Sequence, residues 1–139
     1  MKRKIILASH GNFASGILNS LHIICGENDL VEALDCYVTT DFELSKVVKN
    51  IMIKYKESEL IVITDIFGGS VNNEFLNYIK QPNFYLIAGL NLPFLIELST
   101  KLVISDSVDK LIRNSLDESK MSIQFCNETF NKKIIEEDF

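Results

Sequence analysis

Tryptophan is absent from this chain of 139 residues, and proline, histidine and arginine appear only twice each. The three cysteines, Cys25, Cys36 and Cys126, stand far apart with no C-x-x-C pair. An odd, scattered set of this kind suits reduced thiols in a cytoplasmic protein rather than a disulfide framework. Two histidines without a cysteine cluster give zinc no ligand set, so neither a metal nor another cofactor is expected. Walker A, G-x-G-x-x-G and H-E-x-x-H patterns are all missing, which leaves a nucleotide-binding kinase without support. No apolar run approaches the roughly 18–20 residues of a membrane-spanning helix. With a formal charge of −5 and no dense Lys/Arg stripe, nucleic acid is not an expected partner.

What is present points to one globular domain. Apolar residues make up 47% and charged residues 24%, near soluble averages, which argues against disorder. Chains divide into domains only at roughly 250–300 residues, so one core is expected. Met1-Lys2-Arg3-Lys4 followed by Ile5-Ile6-Leu7-Ala8 imitates a signal peptide, but the run stops at Ser9-His10-Gly11, short of the ~7–15 residues required. It reads instead as a first strand behind a basic N-terminus.

Short apolar runs alternate with stretches of helical period. Lys4–Ala8 is a strand, after which Ala14, Ile17, Leu18, Leu21 and Ile24 recur at helical spacing up to Gly26, a helix-ending glycine. Val31–Val38 is a second strand. Thr40 and Glu43 form a capping box before a helix carrying Leu44, Val47, Val48, Ile51 and Tyr55. Leu60–Ile63 is apolar on both faces, as a central parallel strand must be. Ser70 is expected to cap a helix bearing Val71, Phe75 and Ile79.

Asn83–Ala88 is a fourth strand, Pro93 opens the next helix, and Ser105 or Asp106 caps a last helix with Val108, Leu111 and Ile112. Ser122–Cys126 reads as a short fifth strand, and the charged stretch from Asn131 to Phe139 as a loosely ordered tail. This is the pattern of a single-domain α/β fold with a doubly wound sheet: four parallel strands, plus a short C-terminal strand expected to run antiparallel.

Ligands of such folds sit beyond the carboxyl ends of the strands, at the switch point. The unusual polar and glycine residues gather at those ends: Ser9-His10-Gly11-Asn12, Thr64-Asp65 through Ser70, and Gly89-Leu90-Asn91. His10 stands where a strand gives way to a helix whose first amides favour an anion. Imidazole, with a reference pKa of about 6.5, is a competent nitrogen nucleophile when one ring nitrogen is free and the other is held. Asp65 is the expected acceptor for the held nitrogen. Gly68-Gly69-Ser70 offers bare backbone and a hydroxyl for phosphate oxygens. An isolated Ser-His-Gly is an ordinary turn, and Asp65 alone a turn or cap residue. The two together, beside Gly-Gly-Ser, are more than either. Tyr37, Phe67 and Phe94 are candidates for the rim, and His22 has no assigned role.

These residues together resemble the enzyme IIA domain of the mannose/fructose/sorbose family of the bacterial sugar phosphotransferase system. The likeness is carried by ILASHGNFASGILNS, IVITDIFGGSVNN and LIAGLNLPFLIEL, in the family's order and spacing, over about residues 1–120. It implies a IIA-like domain over residues 1–126 followed by a charged tail, 127–139. His10 would be the phosphorylated histidine and Asp65 the residue orienting it, with Gly11, Gly68, Gly69 and Ser70 around the phosphate. Phe67, Asn91 and Pro93 are expected to face partners. Those partners would be the general histidine-containing phosphocarrier protein as donor, the cognate IIB component as acceptor, and the membrane IIC/IID pair indirectly. A homodimer exchanging its C-terminal strand is also implied, with Ser122–Cys126 as that strand.

Two departures from the family pattern stand out: Val71 replaces a frequent proline, and Tyr37-Val38-Thr39-Thr40 lacks a common Pro-Gly. The rival readings are the phosphoryl-donor subunit of a dihydroxyacetone kinase and a non-catalytic regulatory module of the same fold. A phosphohydrolase working through phosphohistidine would want arginines at the site. Arg3 and Arg113 are the chain's two, and neither falls there.

Overall fold

Each of the four apolar runs becomes a strand of one parallel sheet in the computed structural model, which describes residues 1–137, with side chains as far as residue 131. In chain order the elements are β1 (Arg3–His10), α1 (Phe13–Cys25), β2 (Val31–Cys36), α2 (Leu44–Lys54), β3 (Glu59–Thr64), α3 (Ser70–Leu76), β4 (Phe84–Ala88), α4 (Leu92–Lys101), α5 (Val108–Lys120) and α6 (Cys126–Glu137). The sheet order is β2-β1-β3-β4, every pair parallel.

Successive side chains of a strand point to opposite faces, and this builds two apolar layers. Ile5 and Leu7 of β1 and Ile61 and Ile63 of β3 pack under α1, α4 and α5, against residues such as Leu21, Leu98 and Ile112. Ile6, Ala8, Leu60 and Val62 point the other way, onto Val48 and Met52 of α2 and Val71 and Phe75 of α3. Each fully buried Ile, Leu or Phe contributes roughly 1.5–3 kcal/mol of burial, so the central strands hold the sheet. At the end of the sheet away from the switch point, Arg3 Nη1 donates to the carbonyls of Leu102 (2.6 Å) and Ser105 (2.7 Å). That anchors the α4–α5 connection.

The chain leaves β1 through α1 to reach β2 on one side, then crosses back through α2 to β3 on the other. The crevice between the carboxyl ends of β1 and β3 is therefore the switch point.

Several element ends differ from the sequence reading, each for a tertiary reason. β2 stops at Cys36 because Tyr37 adopts a left-handed backbone, φ +65°. β4 starts at Phe84 because Asn83 does the same, φ +60°. The Thr40–Glu43 capping box does not form: α2 begins at Leu44 with Glu43 as an uncapped N-cap residue. The Phe42 ring packs edge-on against Tyr37 at 5.2 Å, which keeps residues 39–42 in a turn. For α5 the cap is Ser107, whose side chain accepts from the Lys110 amide, rather than Ser105 or Asp106. Gly26 does end α1, with φ +84° and its N–H on the His22 carbonyl.

The fifth strand is a further correction. Residues 122–125 pair with no strand among the described residues, and Cys126 opens α6. Strand propensity is only realised beside a neighbour, and Ile123 is 90% exposed. The amides of Glu128 and Thr129 bond instead to the Phe125 carbonyl, which starts the helix. Helix α6 reaches Glu137 in the stretch read as a loose tail, while residues 138–139 lie outside the described residues.

Candidate functional site

β1 runs further than its apolar core suggests, so His10 is the last residue of the strand and pairs in register with Cys36. Gly11 then turns the chain with φ +60°. Its N–H donates to the Cys36 carbonyl at 2.8 Å, so this amide is committed to the sheet. The first amides of α1 are also engaged. That of Ala14 donates to the buried Ser9 hydroxyl (2.7 Å) and that of Ser15 to Asp35 Oδ1 (2.9 Å). Ser9 and Asp35 thus cap α1 in place of Asn12, and the Asp35 carboxylate already answers the helix dipole.

Asp65 follows β3 directly. Its Oδ2 accepts twice from His10, from the backbone N–H and from Nδ1, both at 2.8 Å, while Oδ1 accepts from the Ile66 amide. Partial burial pushes the carboxyl up, but the hydrogen bonds from the His10 amide, the His10 ring and the Ile66 amide outweigh it. Its pKa therefore lies below the ordinary carboxylate value. An ionised carboxylate only accepts, so Nδ1 carries a proton, and in the neutral imidazole Nε2 presents its lone pair. The His10 side chain is 42% exposed and that of Asp65 14%, so the carboxylate stands behind a solvent-facing ring.

The turn from Asp65 to Ser70 closes over the other nitrogen. Ser70 Oγ lies 3.3 Å from Nε2 and 2.8 Å from the Tyr37 hydroxyl. Ser70 is the first residue of α3 and not its cap, which is Gly69. The hydroxyl expected to bond the helix amides is turned to the imidazole. Gly68 takes φ +80°, and Asn73 Nδ2 donates to its carbonyl. A Cβ on Gly69 would lie 2.9 Å from Ile66 Cγ1 and 3.3 Å from His10 Cε1. Glycine is required there by close approach. In Gly69→Ala the exposed Ile66 side chain gives way but the ring edge is pushed, so if His10 takes the phosphoryl group that the resemblance implies, its labelling should slow about 10-fold with little change in Tm. Initial labelling rates beside a thermal melt check this.

Of the other expected residues, Phe67 is 84% exposed on this turn. Asn91 is the N-cap of α4: it accepts from the Phe94 amide (2.9 Å) and donates to the Gly89 carbonyl (3.0 Å), so its polar atoms serve the cap. Pro93 is exposed in the first turn of that helix. Phe94 belongs to the core, not the rim. Among the described residues, no group of three or more His, Cys, Asp or Glu could hold a metal ion, and no helix is long and apolar enough to cross a membrane.

The sequence reading missed the supports. Thr64 is buried and its hydroxyl donates to the buried Asn72 at 2.8 Å, tying β3 to α3 beneath the turn. Asn72 stands three residues before Phe75 inside the apolar stripe, a polar residue where none is expected. Tyr37, a candidate for the rim only, is bound into the site itself. Its ring lies 5.5 Å from that of His10 in a backbone region that costs an aromatic residue about 1–2 kcal/mol.

A doubly wound α/β protein with a carboxylate-held imidazole facing solvent at its switch point is the class these features define. The chain belongs to the family described as PTS system fructose IIA component, whose model matches residues 4–116. It is thus a IIA component of a sugar phosphotransferase system. A curated Bacillus subtilis relative, a fructose-specific EIIA component, is 28% identical over 137 residues, covering 92% of this chain and 89% of the relative. A Klebsiella pneumoniae structure, provisionally described as a phosphoenolpyruvate-dependent sugar phosphotransferase system permease, superposes with a TM-score of 0.89 at 45% identity, covering 94% of this chain and 95% of the other. The mannose/sorbose-specific IIA subunit of Enterococcus faecalis gives 0.70 at 27% identity, with 89% and 94% covered.

Proposed function

We propose that the chain is a cytoplasmic phosphocarrier in which His10 Nε2 accepts a phosphoryl group from the phosphohistidine of the general histidine-containing phosphocarrier protein and hands it to a histidine of the cognate IIB component. The observation that carries this reading is the 2.8 Å contact of Nδ1 with Asp65 Oδ2 on a ring that is 42% exposed, with the Ser70 hydroxyl 3.3 Å from Nε2. The Nε2 lone pair attacks phosphorus in line while the donor's N–P bond breaks and its ring recovers the electron pair. His10 keeps its Nδ1 proton, and the positive charge developing on the imidazole is balanced by Asp65. Transfer to IIB reverses these roles. Positioning and charge stabilisation do most of the work in such a loose transition state. Ser70 supplies a donor to the phosphoryl oxygens, and Gly68-Gly69 allow backbone rather than a side chain to approach them.

Both partners are whole proteins, so the site must be open. Ile66, Phe67, Tyr37 and Val38 expose apolar surface in the strand-end turns, suited to brief docking at the small end of interface size. A homodimer is part of the reading, a second copy covering the exposed Ile123, Phe125 and Phe130. The membrane IIC/IID pair would take part only through IIB. Incubation with phosphoenolpyruvate and the two general phosphotransferase proteins should place one acid-labile, alkali-stable phosphate on the chain. An unlabelled chain would reject the reading.

A further inference from the structure

Tyr37 has no part in the transfer described above, yet it is held against both His10 and Ser70. Its left-handed backbone, φ +65°, is unusual for an aromatic residue and ends β2 beside the imidazole. Phe42 meets the tyrosine ring edge-on, at 5.2 Å and 67°.

For the neutral imidazole, the form that can attack phosphorus, the proton directions in this row follow from one end. Asp65 only accepts, so the single ring proton is on Nδ1 and Nε2 carries a lone pair. A lone pair takes a hydrogen bond from Ser70, 3.3 Å away, and a serine that donates there has its oxygen free to accept from Tyr37 at 2.8 Å. We propose that Tyr37 is a positioning residue for phosphoryl transfer: its hydroxyl donates to Ser70 Oγ and keeps the single Ser70 proton aimed at Nε2 and at the phosphoryl oxygens that arrive there. The proposal rests on His10 being the phosphorylated residue.

The two lengths explain the arrangement. The short bond to Tyr37 fixes Ser70, whereas the long one to Nε2 binds the lone pair only weakly and leaves it available for attack. When the N–P bond forms, the Ser70 proton swings from nitrogen to a phosphoryl oxygen with Oγ still held. Ser70 is exposed, so without the tyrosine its hydroxyl turns among rotamers and donates to water.

Tyr37→Phe keeps the ring contacts and removes only the oxygen. Transfer from the phosphorylated carrier protein would be timed by rapid quench for the wild type, Tyr37→Phe, Ser70→Ala and the double variant. Tyr37→Phe should slow transfer about 3–10-fold and Ser70→Ala at least as much, with the double no slower than Ser70→Ala alone. In the unphosphorylated protein, the His10 Nε2 resonance in 15N NMR should move in the same direction in both single variants while Nδ1 stays protonated. Wild-type speed with an unmoved Nε2 resonance in Tyr37→Phe would overturn the proposal. So would equal slowing by Tyr37→Phe with and without the Ser70 hydroxyl, which would place its effect in partner docking. A wild type that takes up no phosphate would instead remove the reading of His10. The NMR comparison needs no partner and still decides whether the tyrosine hydroxyl governs Nε2.

Discussion

Replacing His10 with alanine is expected to bring phosphoenolpyruvate-dependent labelling down to background while the fold survives. The reason for total loss is chemical: Ser70 and Tyr37 are weak nucleophiles at neutral pH, and the substitution removes the imidazole that Ser70 faces, so neither keeps a base aimed at it. The reason for survival is positional. His10 ends β1 with its ring at the solvent, and its backbone N–H, which alanine retains, still donates to Asp65. Such an exposed substitution shifts stability by about 0.5 kcal/mol or little more. Labelling and a urea titration on one preparation check both halves. Phosphate persisting in His10→Ala would reject the site assignment and turn attention to His22 on α1.

Asp65→Ala should reduce the rate of phosphoryl transfer by on the order of 10²-fold, since loss of an orienting partner frees both the tautomer and the ring angle. Two effects combine. Without an acceptor at Nδ1, half or more of the neutral rings carry their proton on Nε2 and cannot attack. The charge that develops on the ring also goes uncompensated. This variant also has a stability consequence with a definite pH signature. The Asp65 pKa is lower in the folded protein than in the unfolded chain, because bonds from the His10 amide and ring and the Ile66 amide overcome the effect of burial.

The contribution of Asp65 to stability is therefore complete above the unfolded carboxyl value of about 3.9 and is lost as pH falls through the lower, folded value. In Asp65→Ala that part of the acid destabilisation disappears. Its neutral-pH stability drops by about 0.5–1.5 kcal/mol, since water can replace the carboxylate at these exposed donors. Denaturant midpoints measured between pH 7 and pH 3 read this directly. Unchanged transfer kinetics would remove Asp65 from the mechanism.

Much of the site was legible because the strand-end rule converts sequence position into proximity. Leu60–Ile63, apolar on both faces, marks a central strand, and a chain that alternates strand and helix puts Asp65 and His10 at adjacent carboxyl ends. The contact at 2.8 Å is the geometric outcome of two residues 55 positions apart. Side-chain duties were read less well wherever a local motif competed with a distant partner. Ser70 has the form of an N-cap but bonds Tyr37 and His10. Thr40 and Glu43 have the form of a capping box, yet the packing of Phe42 on Tyr37 delays α2. Gly11 is expected around the phosphate by the resemblance, and its amide is paired with the Cys36 carbonyl by the sheet register.

By itself, then, the order of residues determined the alternation of strand and helix, the face each apolar residue takes, and the pair of polar residues that meet at the switch point. These follow from periodicity and chain direction, which are local properties. Only the tertiary structure decided the left-handed turn at Tyr37, the commitment of the α1 amides to Ser9 and Asp35, and the helix in place of a fifth strand. Each of those depends on which distant group is near enough to satisfy a backbone or side-chain hydrogen bond. No window along the chain contains that information.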